Sequence, residues 1–240
     1  MMKKPLGSKA YGSIPHLSGS RLGPGDHHCH AGQERICFEG GRDKKGRPHR
    51  VIVTEKLDGS NVAVARVDGE IVALGRNGYR AETSPHKQHQ IFAQWVAHNK
   101  WGALPERWRV SGEWMLQAHG TLYNPSSPLI AFDVFDEANK RIPHDDARTL
   151  FAALDLEGAA VVSDGPGCGI NPALEAAGAF GNHGATEQIE GCVWRVETGG
   201  VFNFLTKYVR PEKVDGKYFT PEGHADVFMC DPMKSNSQGE

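Results

Sequence analysis

The sequence predicts a strand-rich α+β fold, built as one large domain. Three observations lead there. A chain of 240 residues with 39% hydrophobic content can bury a sizeable core in a single domain. Its 29 glycines and 14 prolines break it into many short segments, as in folds made of strands and turns. Most of those segments are β-branched or alternate with a period of two, and only three stretches show helical character. The formal net charge of −2 gives no global basic signature, so a nucleic-acid partner would need a local basic patch. Five cysteines at irregular spacing read as reduced thiols, and neither a run of roughly 20 apolar residues nor a signal-peptide core is present. The expectation is a soluble, cytoplasmic protein with no membrane contact.

Residues 1–50 form a lead-in with little periodicity, expected to belong to the same domain as the remainder of the chain. Asp26-His27-His28-Cys29-His30 has the residue types of a zinc site. Adjacent ligands strain a tetrahedral centre, however, and no second half such as C-x-x-C lies nearby, so the expectation is a polar loop. Arg42, Lys44, Lys45, Arg47, His49 and Arg50 make a dense basic run. It is either a solvated loop or a track for a phosphate backbone.

The β-branched run Val51, Ile52, Val53 and the alternating run 62–65 flank Thr54-Glu55-Lys56-Leu57-Asp58-Gly59-Ser60-Asn61. A lysine between two strands, followed by Asp-Gly, is either a solvated hairpin residue or a nucleophile. A nucleophilic lysine must be neutral, which calls for burial or a neighbouring cation. Gly59 would allow a tight turn or a close approach to a ligand. Further on, 62–67 and 71–74 are joined by Asp68-Gly69, the strongest short hairpin signal. Residues 89–100 have the spacing of an amphipathic helix, 143–160 open on Pro143 with early acids as a second helix, and 173–177 suggest a short third. Strands are expected at 110–114, 129–136 and 190–196, and at 201–204 leading into 205–211. The 163–187 segment, rich in glycine, lacks the strand-turn-helix frame of a dinucleotide fingerprint.

Several of these segments resemble, in order, the motifs of ATP-dependent RNA ligases within the covalent nucleotidyltransferase superfamily of ligases and capping enzymes. Lys56-Leu57-Asp58-Gly59-Ser60-Asn61 resembles the K-x-D/H-G-x-N motif. Tyr11-Gly12-Ser13-Ile14-Pro15-His16-Leu17 resembles the family's lead-in, and Gly75-Arg76-Asn77-Gly78-Tyr79-Arg80 its second motif. Gly112-Glu113-Trp114, the Phe132-bearing strand, Glu190-Gly191-Cys192-Val193 and Leu205-Thr206-Lys207 match the rest. The resemblance implies a nucleotidyltransferase (adenylation) domain of antiparallel β-sheets with flanking helices, its core at 51–215, and a short tail at 216–240 without a separate C-terminal domain.

It also implies roles. Lys56, Lys207 and Glu190 would be catalytic. Glu55, Gly59, Asn61, Arg76, Glu113 and Phe132 would bind ATP, with Phe132 or Phe135 stacking on adenine. Glu113 and Glu190 would hold Mg²⁺ or Mn²⁺. A cation at Lys207 would lower the pKa of Lys56. The implied reaction joins RNA ends or a nicked duplex through a covalent lysyl-AMP, in RNA repair. Asn61 favours RNA over DNA ligases. Two departures stand out. Leu205 occupies a position where many relatives carry a lysine, and about thirty residues follow Lys207, so a partner protein or domain is expected for end recognition. The alternatives are an end-adenylating enzyme that seals poorly by itself and a catalytically silent binding module, against which the retained pair Lys56 and Lys207 speaks.

Overall fold

The structure, a computed structural model, describes residues 3–220 and 227–233. Two sheets carry the fold. The first is four-stranded and antiparallel, in the order β7 (Val161–Gly165), β1 (His49–Lys56), β8 (Gly191–Thr198), β9 (Val201–Val209). The second is five-stranded, in the order β3 (Glu70–Gly75), β2 (Ser60–Val67), β4 (Arg109–Trp114), β5 (Leu129–Phe135), β6 (Glu157–Gly158), with only the β5–β6 pair parallel. This is the α+β arrangement that the sequence predicts. Val51, Ile52 and Val53 are all buried because β1 is an interior strand covered on both faces. The Asp68-Gly69 hairpin joins β2 to β3, with φ of 53° and 81° as a two-residue turn of the primed kind requires.

Four helices cover the sheets: α1 (Ala31–Glu39), α2 (Lys87–His98), α3 (His144–Ala153) and α4 (Ile170–Ala177). Phe92, Trp95 and Val96 of α2 and Phe151 of α3 pack with Val62, Val64, Val110, Trp114 and Val134 into one core. A second core joins Val51, Val53, Trp194 and Val196 to Met115, Ile130 and the small face of α4. Among the described residues no helix is long and apolar enough to cross a membrane.

The structure departs from the sequence expectations in four places. Helix α1 lies within the lead-in and buries only Cys37, so it leaves little apolar periodicity to read. Helix α3 stops well before residue 160, because Asp155 turns left-handed (φ 54°) and sends the chain back as β6 along β5. The lysine motif is not a hairpin, since β1 and β2 belong to different sheets. Two of the five lysines and arginines in the basic run are paired with acids: Arg47 with Asp43, and Arg50 with Asp145 and Asp164. Arg50 also sits six residues, roughly 20 Å, up β1 from Lys56.

Among the described residues, segments 15–29 and 227–229 both pack against the core. Residues 15–17 run beside β9, with Lys207 N–H donating to the Pro15 carbonyl (3.0 Å) and Leu17 N–H to that of Lys207 (2.8 Å). Segment 27–29 lies on their other side through His16 N–H to His27 O (2.9 Å) and Cys29 N–H to His16 O (2.8 Å). At the other end, Met229 N–H donates to Leu116 O (2.8 Å) and Ala118 N–H to Val227 O (3.0 Å). The polar tail expected from Asp231 onward falls mostly outside the described residues.

Phe92→Ala, which empties a fully buried site against Trp95 and Trp114, is expected to cost about 3–5 kcal/mol in urea unfolding. His16 is 1% exposed, and burial, reinforced by Lys207, lowers its pKa to about 4. The folded ring stays neutral where the unfolded one gains a proton. Its contribution to stability is therefore full above pH 6.5 and lost as pH falls toward 4, by up to about 3 kcal/mol. Urea unfolding of wild type and His16→Gln across that window should show a shallower loss in the variant; parallel curves would refute the assignment.

Candidate active site

The strand order brings the end of β1 to the second sheet, and a cleft of about 900 Å³, partly open to solvent, lies there. Of the predicted site residues, Glu55, Lys56, Asn61, Arg76, Glu113, Phe132 and Lys207 line it. Glu190 is tied to Lys56, and Gly59 lines an adjoining cavity. The three-residue link from Lys56 to Ser60 is tight: a Cβ on Gly59 would lie 2.6 Å from the Trp114 carbonyl oxygen. The approach that Gly59 permits is thus to the chain's own backbone. Its N–H donates to Glu113 Oε1 (3.1 Å).

Three lysines meet three carboxylates at this end of the cleft. Lys56 Nζ is 2.6 Å from Glu190 Oε2. Lys207 Nζ is 3.8 Å from Asp26 Oδ1. Lys213, 2% exposed at its side chain, contacts Asp58, which also accepts Gly120 N–H (2.8 Å). Burial works to lower the Lys56 pKa, but Glu190, Glu113 and Asp58 outweigh it and hold the amine above its ordinary value. This reverses the expectation from sequence, in which Lys207 alone was considered. The lowered group is Lys207 itself, through burial and then the charge of Lys56. Glu113 has no lysine in contact, and burial pushes its carboxyl up to about 7.

Phe132, Tyr11, Ile14, Val193 and Leu205 give the cleft an apolar wall, interrupted by Asp133, His144 and Arg195, with Tyr11 edge-on to Phe132 at 5.2 Å between centroids. The register between β4 and β5 shifts at Ser111/Gly112, leaving Phe132 as the unpaired residue. Phe132 lines the cleft and Phe135 does not: Phe135 packs beneath Arg109 and Arg141, and both rings lie edge-on to Tyr11. Arg195 lies cross-strand from Leu205, but its guanidinium is bound by Asp133 (2.7 Å), Glu197 (2.8 Å) and the Ile142 carbonyl. Glu55 turns its carboxylate to the Asn182 N–H (2.7 Å), leaving Oε1 buried without a partner; burial raises its pKa. The buried Asn61 Oδ1 likewise lacks a partner. Sequence reasoning did not find Asp26, Asp133, Arg195 or Lys213. Asp26 was visible only as part of the zinc-like string, and the others sit in ordinary strand or loop sequence.

A comparison with curated protein sequences finds no match. Among solved structures, a Naegleria gruberi RNA ligase with PPi is 16% identical, with 84% of this chain and 56% of that one covered, at a TM-score of 0.51. A lysine-to-alanine mutant of the Naegleria gruberi RNA ligase with ATP and Mn is 15% identical, covering 88% and 61%, at 0.50. An archaeal ATP-dependent RNA ligase is 19% identical, covering 83% and 48%, at 0.47. The chain therefore spans about half to three-fifths of the length of these structures. The RNA ligase family model matches residues 49–209, from the first residue of β1 to the last of β9. That match covers more than half of the sequence, and with it the chain belongs to the RNA ligase family.

Proposed function

We propose that this protein is an ATP-dependent RNA ligase that works through a covalent lysyl-AMP. The observation that carries the reading is the contact of Lys56 with Glu190 beside a cleft that Lys56, Lys207, Arg76, Tyr11 and Phe132 line together. In the first step the Lys56 amine attacks the α-phosphorus of ATP; a P–N bond forms, the bond to the β-phosphate oxygen breaks, and pyrophosphate leaves. In the second, an RNA 5′-phosphate oxygen displaces Lys56 from AMP. In the third, a 3′-hydroxyl attacks that 5′-phosphate, and AMP departs as the strand is joined. Such transfers depend on positioning and charge more than on covalent assistance.

Lys56 is charged as it stands and must first lose a proton. Glu190 is in hydrogen-bonding contact with it and serves as the acceptor, with burial raising its proton affinity. Lys207 and Arg76 neutralise charge on the phosphates. Phe132, Tyr11 and Val193 take the base, and stacking on an aromatic contributes about 1–3 kcal/mol. Gly59 shapes the link, and Glu55 and Asn61 border the cleft with unpartnered buried oxygens. Among the described residues no group of three or more His, Cys, Asp or Glu side chains could hold a metal ion. Glu113 and Glu190 would nevertheless suit Mg²⁺ or Mn²⁺ completed by phosphate oxygens and water, and the unpaired Glu113 carboxylate is the observation that fits. Such a cation supplies charge neutralisation on the phosphates and weakens the carboxylate field that keeps Lys56 protonated.

The adjoining cavity shares Lys56, Asn61, Arg76 and Glu113 with the cleft and adds Arg80, His86, His89 and His119. It is assigned to the RNA ends because it opens beside Lys56 and Arg76 and offers imidazole and amide donors, although Arg80 is already paired with Glu70 and Glu82. A partner protein or domain that presents RNA ends would deliver them here.

Incubation with α-³²P-ATP and Mg²⁺ followed by denaturing electrophoresis should label wild type and leave Lys56→Ala unlabelled. Lys207→Ala should label about 10²-fold more slowly, the usual size for losing one preorganised charge-stabilising donor. Label on Lys56→Ala, or none on wild type, would defeat the proposal.

A further inference from the structure

Asp26 lies outside the nucleotidylation, second and strand-borne motifs, yet its carboxylate is the anionic partner of Lys207. Oδ1 is 3.8 Å from Lys207 Nζ. Oδ2 accepts Gly23 N–H (3.1 Å) and lies 3.0 Å from His16 Nε2. The opposite ring nitrogen, His16 Nδ1, is 2.6 Å from Ser20 Oγ, and that hydroxyl oxygen accepts Val209 N–H at 2.9 Å. His16 Nε2 lies within ion-pair distance of Asp26 without an aligned hydrogen bond to it, whereas Nδ1 and the Ser20 hydroxyl are hydrogen-bonded. The imidazole is thereby fixed to the backbone of β9, the strand that carries Lys207, and it lies against the Asp26 carboxylate.

We propose that Asp26, oriented by His16, is a positioning residue for Lys207: it aims the ammonium into the cleft and keeps it from competing with Lys56 for Glu190. This rests on the reading of Lys207 as a phosphate-binding lysine. Two features of the geometry support it. At 3.8 Å the pair attracts by charge without forming a hydrogen bond, so the three ammonium protons remain available to phosphoryl oxygens. Leu205 supplies no second cation on this strand, so the α-phosphate depends on the aim of one flexible four-carbon stem. The Asp-His-His-Cys-His string, which has the residue types of a metal site, thus contributes a counter-ion.

The test is single-turnover labelling of the full chain with α-³²P-ATP and Mg²⁺, using wild type, Asp26→Asn, Asp26→Glu, Lys207→Ala and the Asp26→Asn/Lys207→Ala double variant. Asparagine can keep the hydrogen bond from Gly23 N–H while losing the charge. The labelling rate at saturating ATP should therefore fall about 10-fold to 10²-fold in Asp26→Asn, with a smaller change in the half-saturating ATP concentration and partial recovery in Asp26→Glu. The double variant should be no slower than Lys207→Ala alone, because the carboxylate acts through that lysine. A wild-type rate in Asp26→Asn, or the same fold-loss with and without Lys207, overturns the role of Asp26. Wild type that takes no label overturns the reaction itself, which is a different result.

Discussion

The site depends on how buried charge is divided. Lys56, Lys207 and Lys213 are each largely removed from solvent, and each is held beside one carboxylate: Glu190, Asp26 and Asp58. An unpaired buried ammonium would be costly, so the three pairings constrain the backbone segments that supply them. Asp26 comes from the lead-in and Lys213 from the segment after β9, which is a reason for both ends of the described chain to be drawn to one end of the cleft. The fourth carboxylate, Glu113, has no lysine. Burial resists the ionisation of that group and pushes it up to about 7.

The second constraint is the link between the sheets. Lys56 closes β1 and Ser60 opens β2, so the intervening three residues must cross from one sheet to the other. Leu57 is buried on the way, Asp58 is clamped by Lys213 and the Gly120 N–H, and Gly59 passes against the Trp114 carbonyl with no room for a side chain. The lysine is thereby held from both sheets at once. A residue on an exposed hairpin tip would lose several rotatable bonds' worth of entropy on being aligned for in-line attack. Here folding has already met that cost.

What was legible in the sequence was what is local. The alternation of β2 and β3, the Asp-Gly turn between them, the β-branched run of β1 and the apolar face of α2 each announce themselves within a dozen residues. The motif residues could be named because they stand in fixed local strings. Partners across the chain could not. Lys213 and Asp58 are 155 residues apart, and Arg50 finds its acids 95 and 114 residues away, so one cation of the basic run is compensated from far along the chain. Helix α1 hides for another reason: with one buried residue, it has almost no amphipathic pattern to detect. The wrong sign expected for Lys56 has the same origin as the missed partners, since a neighbouring lysine was visible in the motif order while the balance of three carboxylates was not.

The consequence of Leu205 follows from these arrangements. Arg195, directly cross-strand, cannot stand in as a free cation, because Asp133, Glu197 and the Ile142 carbonyl occupy its guanidinium. Leu205 instead packs with Tyr11 and Phe135, joining the apolar wall to which Phe132 and Val193 belong. The cleft is therefore lined by Lys56, Lys207 and Arg76 as cations, with Arg195 bound up by its acids, and by Leu205, Val193, Tyr11 and Phe132 as an apolar and aromatic wall. The proposed function needs a lining of both kinds, because a nucleotide brings a flat, weakly polar base and a chain of anionic phosphates to the same cleft.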